Sequence, residues 1–344
     1  MIEEVKARLA ECPEAIIRIL ESYGFARITH RQHEIRCAFE EGMNPTAIVI
    51  KLKNNPACLL KDYEKNVCYD LINYLIKIKK HTFKEVISRI KAELGIDNIY
   101  NYRRSKAPFG GIYNRIGTDS QPEVKIYPES TLDKYLKIPN ERFLNDHISL
   151  EVQKEFQIGY DAETQRITIP IRSAFSDLIG VKGRANFELG EYEPKYLYLS
   201  DSCPASTTLY GYCQNYTNLY EGTVLIGEAE KFVLQCATYG YRNAVALASN
   251  SLSTAQAKLL LDLKPKKIIF MLDNNLDLAN TKKNIDVLRA SCQSQEIEIG
   301  VWDWRQNITC DYKASPTDAG KAIFEEILHM EIVDANELFK EIKL

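Results

Sequence analysis

The sequence has no hydrophobic run long enough to cross a bilayer and no Cys-x-x-Cys pair among its nine cysteines. The first absence argues against a transmembrane helix. The N-terminus, MIEEVKARLAECPEAIIRIL, is acidic and amphipathic, so it lacks the basic region and apolar core of a signal peptide. An odd number of cysteines is typical of scattered small side chains in a reducing compartment, not of a disulfide framework. We therefore expect a cytoplasmic protein without a membrane partner.

The chain also has little excess charge. Its net charge of −3 over 344 residues argues against binding of polyanions over the whole surface, because such binding comes from Lys and Arg that neutralise phosphates. A local basic groove is still compatible with this balance. The stretch NYRRSKAPFGGIYNRIG interleaves basic and aromatic side chains, a mixture that suits single-stranded nucleic acid but is also common in solvated linkers. We favour the linker, as part of a hinge over residues 101–123.

Helix and strand signals alternate in residues 1–100. IEEVKARLAECPEAIIRILESYG and CYDLINYLIKIKKHTFKEVISRIKAELG have apolar residues at helical spacing, and the second stops at Gly95. Between them, HEIRCAFE and TAIVIKLK alternate like strands, separated by a turn rich in glycine, asparagine and proline. The pattern predicts a small α+β domain. After the hinge, residues 124–220 mix short strands and helices, among them RITIPIR and SDLIGVKGRANF.

Residues 221–312 predict a parallel sheet. The apolar stretch TVLIG ends at Glu228, and KKIIFML ends at Asp273. An amphipathic stretch follows each strand, so the two strands are expected to be parallel neighbours joined by a helix. Side chains at the carboxyl ends of such strands line the crevice where ligands bind. We therefore expect these two carboxylates to face each other across a cleft.

Acids at strand ends need not be functional, since a single one is more often a helix cap or a solvated loop residue. Here Glu228, Asp273, Asp277 and the neighbouring Glu230 are crowded at two strand ends, and clustered carboxylates repel one another unless a cation offsets their charge. Mg²⁺ prefers oxygen ligands and is usually held by one or two carboxylates plus substrate phosphates. The cluster therefore indicates phosphoryl or nucleotidyl transfer.

The last segment, residues 313–344, predicts a helical tail. Ser315 and Asp318 have the spacing of a capping box, and Pro316 would stand at the first helical position. We therefore expect a helix to begin at Ser315.

Five short motifs precede the glutamate strand: IGY, IPIR, IGVKGR, PKYL and LYG. They occupy residues 158–160, 169–172, 179–184, 194–197 and 209–211. With the two acid-bearing strands, their order over about 120 residues resembles the RNA-polymerase domain of bacterial, DnaG-like primases, and in particular those of phages and mobile elements. The resemblance implies an α/β fold in which residues 124–220 form the N-terminal subdomain and residues 221–312 a Toprim subdomain.

The resemblance also implies a catalytic metal site. Glu228 matches the metal-site glutamate of the family, and Asp273 matches the first aspartate of its Asp-x-Asp pair. The second aspartate is replaced by Asn275, which offers a carbonyl oxygen but no charge, so a second cation should bind weakly unless Asp277 reaches in. The expected catalytic residues are Glu228, Asp273 and Asp277, and the expected ligands of Mg²⁺ or Mn²⁺ are the same three and Asn275. The glycine that follows the glutamate in the family is Ala229.

Basic residues of the matched motifs are expected to hold template and nucleotide. Arg184 and Lys195 match residues that line the family's groove, and cations beside a metal site suit a polyphosphate substrate. The same role is expected for Arg172, Lys182 and Lys231. The alternative is an ordinary surface lysine for Lys195 and an exposed turn residue after Gly183 for Arg184.

Residues 1–100 resemble the zinc-ribbon domain of phage primases, but the ligand pattern is incomplete. A structural zinc site needs four Cys or His ligands with paired short spacings. Cys37 is present, Glu40 stands where its partner histidine would be, and Cys68 has no second residue to pair with. We therefore expect a domain that keeps the fold without zinc, with Cys37 and Cys68 as the candidate ligands if a metal is retained.

The leading hypothesis is a primase that makes short RNA primers on single-stranded DNA from nucleoside triphosphates. Only about 70 residues follow Asp273, so a replicative helicase is expected to be a separate partner. The alternative is a non-catalytic, Toprim-containing accessory factor that binds single-stranded DNA, which Asn275 and the incomplete zinc site favour. A Toprim nuclease or topoisomerase is a third, weaker alternative.

Overall fold

The computed structural model describes residues 2–53, 55–96, 124–190, 193–201, 203–274, 277–292, 296–306, 310–311 and 313–342. The predicted hinge at residues 101–123 and the predicted ligand Asn275 lie outside the described residues. Contacts divide the chain into two compact units, Met1–Tyr102 and Arg103–Leu344. The finer domain boundaries drawn from the sequence stay predictions.

The first unit is an antiparallel five-stranded sheet whose strands pair in chain order. Its strands are β1 (Ala26–Arg31), β2 (Glu34–Ala38), β3 (Ile48–Lys51), β4 (Leu59–Asp62) and β5 (Val67–Asp70). Its helices are α1 (Ile2–Ala10), α2 (Pro13–Ser22), α3 (Leu71–Lys77) and α4 (Phe83–Leu94). The α+β class predicted for this region is confirmed.

Local sequence explains most of these boundaries. Pro13 stands at the start of α2 and separates it from α1. A capping box of Thr82 and Glu85 starts α4, and Gly95 ends it in the left-handed conformation with φ 63°. The two predicted strands correspond to β2 and β3. The sequence did not predict β1, β4 and β5, because they are short and their exposed residues leave no clear alternation.

The second unit contains two sheets. The antiparallel sheet pairs four strands in chain order: β6 (Gly159–Asp161), β7 (Arg166–Arg172), β8 (Leu178–Ala185) and β9 (Tyr196–Tyr198). It is preceded by a 3₁₀ turn and two short helices: Glu129–Lys134, α5 (Glu141–Asn145) and α6 (Leu150–Glu155). RITIPIR forms β7, and every one of its residues is buried. Its apolar and β-branched side chains are therefore buried on both faces of the strand.

The other sheet has the order β11-β10-β12-β13-β14, and its first four strands are parallel. The strands are β10 (Thr223–Gly227), β11 (Ala244–Ala246), β12 (Lys267–Phe270), β13 (Glu298–Trp302) and β14 (Ile332–Asp334). The helices are α7 (Tyr212–Leu219), α8 (Glu230–Tyr239), α9 (Thr254–Asp262), α10 (Leu278–Ser291), α11 (Lys321–Met330) and α12 (Ala335–Glu341). The predicted parallel pairing of the glutamate strand β10 with the aspartate strand β12 is confirmed, with Ile226 opposite Phe270. The predicted connection by a single helix is wrong, because the chain passes through α8, β11 and α9 between the two strands.

The tail differs from the expectation in its starting point. The Asp318 carboxylate does accept from the Ser315 amide at 3.2 Å, as the second bond of a capping box would. The chain then makes a turn instead of a helix, and α11 begins only at Lys321, after Gly320 with φ 93°. The predicted start at Ser315 is therefore wrong, because a left-handed glycine interrupts the helical backbone.

No helix in the part of the chain that the structure describes is both long and apolar enough to cross a membrane.

Candidate active site

The two predicted acids do come to one edge of the parallel sheet. Glu228 follows the last residue of β10, and Asp273 lies three residues beyond the end of β12. The strands continue side by side past their ends, since the Met271 amide donates to the Ile226 carbonyl at 2.8 Å. Both carboxylates are half-buried. The strand pairing that the sequence predicted thus places them together, as expected from the carboxyl ends of parallel neighbours.

Gly227 allows the helix after β10 to start close to the strand. A Cβ at this position would lie 2.8 Å from Cβ of Phe232 and closer still to its ring. Phe232 is fully buried in α8, so no side chain at position 227 can be accommodated without moving it. The glycine therefore fixes the path of the chain on either side of Glu228.

The electrostatics of the pair are unfavourable without a cation. Burial, then the charges of Glu228 and Asp318, raises the pKa of Asp273 to about 7, against the lowering effect of Lys231 and Lys195. Burial also raises the pKa of Glu228, opposed by Lys182. Two half-buried carboxylates that both resist ionisation form a set of oxygen donors that a hard divalent cation would stabilise. Glu228 and Asp273 therefore fit Mg²⁺ or Mn²⁺.

The predicted ligand Asp277 and the neighbouring acid Glu230 are placed differently. The Asp277 side chain is exposed and caps α10, accepting from the Ala279 amide at 3.0 Å. Glu230 is fully buried, and both of its oxygens accept from Lys182 Nζ, at 2.9 and 3.1 Å. Across the described residues, no three His, Cys, Asp or Glu side chains are grouped so that they could hold a metal ion. A divalent ion would thus rely on the two strand-end acids and on oxygens from a substrate.

A wall of basic and aromatic side chains from the antiparallel sheet faces the acids. Lys182 and Arg184 lie two residues apart on β8, so they project from the same face. Lys182 Nζ also lies 4.6 Å from the centre of the Tyr196 ring. Burial raises the pKa of Tyr196, and the charges of Glu230, Asp146 and Asp273 raise it further against Arg184.

Both predicted arginines are buried and hydrogen-bonded. Arg184 donates from Nη1 to Asp146 at 2.6 Å, and its buried Nε has no hydrogen-bond partner among the described residues. Arg172 donates to both carboxylate oxygens of Glu129, at 2.7 and 2.8 Å, and to the Ser176 carbonyl at 2.8 Å. These bonds hold the ends of β7 and β8. A contact of either arginine with template stays a prediction.

Lys195 and Lys231 lie near Asp273. Desolvation, then the charges of Arg184 and Lys231, lowers the pKa of Lys195, although Asp318 and Asp146 oppose this effect. Lys231 pairs with Asp318 at 2.6 Å. The sequence had marked both lysines as candidate contacts to nucleotide or template, and the structure brings both within electrostatic range of the same aspartate.

The sequence missed the role of Asp318. Its spacing from Ser315 had suggested a helix cap, and nothing in the local pattern connected it with Lys231, which lies 87 residues earlier. The buried pair of Lys182 and Glu230 was missed for the same reason. Partners this distant in sequence leave no periodic signal, because only the tertiary packing of the second unit brings them together.

In the first unit, the structure separates the two candidate zinc ligands. Cys37 is buried on β2, and burial raises the pKa of its thiol to about 12. Strand pairing aligns Cys37 with Ile48, Asp62 and Val67 in turn. Cys68 follows Val67 and is exposed, so it projects from the opposite face of the sheet. These two thiols therefore do not share a site.

Comparison with known proteins identifies relatives of this chain. No family model matches it. It is 30% identical over 238 residues to the SPbeta prophage-derived uncharacterized protein YorJ of Bacillus subtilis, and the match covers 61% of each chain. It is 30% identical over 303 residues to a DNA primase of Clostridium acetobutylicum, which covers 76% of this chain and 49% of the relative. The chain thus spans about half to three fifths of the length of these two relatives.

A similar solved structure is the Aquifex aeolicus primase, comprising its zinc-binding and RNA-polymerase domains. The TM-score is 0.49 at 17% identity, and the match covers 92% of this chain and 83% of that one. Since this likeness is distant, the fold class rests on the strand topology given above, and the relationship rests on the sequence matches. The chain is therefore similar in sequence to a bacterial DNA primase, a likeness that the order of its motifs had led us to expect.

Proposed function

We propose that the chain is the catalytic part of a DNA primase that makes short RNA primers on single-stranded DNA during replication of a phage or mobile element in the bacterial cytoplasm. One observation carries the proposal: Glu228 and Asp273 lie together at the ends of neighbouring parallel strands and both resist ionisation. Similarity to a bacterial DNA primase and to a prophage-derived protein supports the reaction and its setting.

The proposed metal is Mg²⁺ or Mn²⁺, held by Glu228 and Asp273. When bound, such an ion would offset negative charge on the phosphates and favour loss of the proton from the attacking hydroxyl. The carboxylates themselves are acceptors only when ionised. Because the pKa of Asp273 is about 7, the residue is available as a ligand at neutral and alkaline pH.

In the proposed reaction, the 3′-oxygen of one nucleotide bonds to the α-phosphorus of the next. The bond from that phosphorus to the bridging oxygen breaks, pyrophosphate leaves, and the hydroxyl proton passes to solvent. Lys195 and Lys231, which lie near Asp273, hold the triphosphate through charge-assisted hydrogen bonds. Arg184 and Lys182 line the adjacent wall, where Arg184 keeps one buried donor without a partner among the described residues. A separate replicative helicase is the proposed protein partner.

Primer synthesis is the direct test. The purified chain is incubated with single-stranded DNA, labelled nucleoside triphosphates and Mn²⁺, and the products are separated by length. We expect short RNA products from the wild type and a loss of at least about a hundredfold in Glu228→Gln, since electrostatic groups at reacting centres contribute at this level. Asp286→Asn, at an exposed site on α10, is the matched control for loss of a carboxylate charge and should keep wild-type activity.

Two results would contradict the proposal. One is wild-type incorporation by Glu228→Gln. The other is a wild-type chain that binds single-stranded DNA but incorporates no nucleotide in either Mg²⁺ or Mn²⁺, which is the behaviour of an accessory factor.

A further inference from the structure

A lysine is fixed at the edge of the candidate site by a network of hydrogen bonds. Lys231 Nζ lies 2.6 Å from Asp318 Oδ1, and both side chains are largely buried, at 20% and 26% exposure. The same carboxylate oxygen accepts from Gln235 Nε2 at 3.1 Å, and Oδ2 accepts from the Ser315 amide at 3.2 Å. Both oxygens of Asp318 are therefore occupied by donors from this chain.

Gln235 is held in turn. It is buried one helical turn after Lys231 on α8, its Oε1 accepts from Thr317 Oγ1 at 2.6 Å, and its Nε2 also donates to the Asp146 carbonyl at 2.9 Å. Side chains four residues apart share one face of a helix. The face of α8 that carries Lys231 is thus joined to residues 315–318 by several bonds, so the ammonium group has a defined position.

The same segment is tied to the strand that carries Asp273. The Asn274 amide donates to the Ala314 carbonyl at 3.2 Å, and the Ala314 amide donates back to Asn274 Oδ1 at 3.0 Å. Asn274 directly follows Asp273, and Lys231 comes three residues after Glu228. The pair of Lys231 and Asp318 therefore lies beside the two strand ends where the acids converge.

We propose that Lys231, fixed by Asp318, is a built-in cation that takes the place of a second divalent ion, so that the site binds a single divalent ion through Glu228 and Asp273. The inference deepens the proposed function and rests on it. Lys231 acts in two ways: its charge offsets part of the charge of Asp273, and its bond to Asp318 withholds a nearby carboxylate that could help to complete a second ion site.

The charges around Asp273 agree with this arrangement. Lys231 lowers the pKa of Asp273 while Asp318 raises it. If the ammonium were removed, two half-buried carboxylates would be left facing each other, an arrangement that favours capture of a cation or a proton. The lysine thus determines whether Asp273 and Asp318 are shared with a second ion.

The test counts bound Mn²⁺ by electron paramagnetic resonance of the free ion at pH 8, without nucleotide or DNA. We expect one tightly bound ion per wild-type chain. Lys231→Gln should take up a second ion, and its first ion should bind about tenfold more tightly because a nearby positive charge is gone. Lys231→Arg keeps the charge and should bind one ion. Lys258→Gln, the same change at an exposed position on α9, should also bind one.

The inference is overturned if the wild type binds two ions tightly, or if Lys231→Gln matches the wild type in both number and affinity. Thermal unfolding in the absence of metal shows whether each variant is folded. If Lys231→Gln does not fold, Asp318→Asn provides the second test: it releases Lys231 toward Asp273, so Mn²⁺ should bind more weakly, and unchanged affinity would overturn the inference. A chain that binds one ion but makes no primers contradicts the proposed function alone.

Discussion

Two clusters of buried charge, one in each unit, differ in how far their charges are compensated. In the first unit, Lys6 is 1% exposed and lies 2.9 Å from Glu3 and 3.1 Å from Asp70. Burial by itself would lower the pKa of Lys6, but the charge of Asp70 and bonds to both acids outweigh it, so the pKa is raised. Asp70 also caps α3 by accepting from the Asn73 amide at 3.0 Å. The charged form of Lys6 is therefore the stable one.

The strand-end acids of the second unit lack such compensation. The positive charges near Asp273 belong to Lys231 and Lys195, and Lys231 is bonded to Asp318 instead. Glu228 has Lys182 nearby, but that lysine is bonded to Glu230. A perturbed carboxylate beside lysines that are bonded to other acids, as Lys231 and Lys182 are, is typical of a functional site. The strand-end acids therefore retain unbalanced charge, whereas the buried ion pair of Lys6 and Asp70 stabilises the first unit.

The largest expected effect concerns the buried ion pair of Lys6 and Asp70 in the first unit. Lys6→Met removes the cation and leaves Asp70 buried, so the free energy of unfolding of the first unit should fall by about 3 kcal/mol. Urea denaturation of the chain measures it. Lys51→Met, at an exposed position of β3, is the matched control and should change stability by less than about 0.5 kcal/mol. Equal losses in the two variants would show that burial of the pair is unimportant.

The second prediction concerns the strand-end acids of the second unit and the pH dependence of their affinity for Mn²⁺. A metal ligand must be ionised, so a proton on Asp273 competes with the cation. With its pKa at about 7, Mn²⁺ should bind about tenfold more weakly at pH 6 than at pH 8. Isothermal titration in buffers of different ionisation enthalpy also detects the proton released on binding. Affinity that does not change over this range would mean that Asp273 is not a ligand.

The smallest expected effect is a gain in stability. The folded-state pKa of Asp273, about 7, lies above its usual value of 3.8. The contribution of this carboxyl group to the stability of the folded protein is therefore fully present below pH 3.8 and is lost as the pH rises through 7. Asp273→Asn stays neutral and should therefore unfold at higher denaturant than wild type at pH 8, by about 1 kcal/mol after allowance for solvent screening. The difference should shrink at pH 5.

Asp286→Asn serves again as the control, because its carboxylate is exposed and paired with Lys282 at 2.9 Å. It should show no such gain at pH 8. If Asp273→Asn is less stable than wild type at both pH values, the acid has a structural role and the contrast between the two units does not hold.

Local sequence predicted elements whose signals are contained within a few residues. Alternation and apolar runs located β2, β3, β7 and the two acid-bearing strands, and a glycine located the end of α4. The prediction of a helix at Ser315 was wrong because the cap pattern is local, whereas the left-handed Gly320 that follows it decides where the helix can start. The parallel pairing of the two acid-bearing strands was predicted correctly, but β11 between them was not, because a strand of three residues gives little periodic signal.

The partners of the charged side chains were not predictable in this way. Nothing in the order of residues indicates that Lys231 bonds to Asp318 or that Lys182 bonds to Glu230. From the sequence alone, each lysine could have paired with any of several acids. Which one it meets depends on the packing of the antiparallel sheet and residues 315–318 against the end of the parallel sheet.

The sequence by itself determined the α/β class, the two parallel strands and the acids at their ends, because periodicity and chain connectivity are local properties. The tertiary structure alone decided which cations remain near those acids and which are bonded elsewhere. The physical reason is that the energy of a buried charge depends on its neighbours within a few ångströms, and the charged neighbours of these two acids come from segments as far apart in the chain as Lys182 and Asp318.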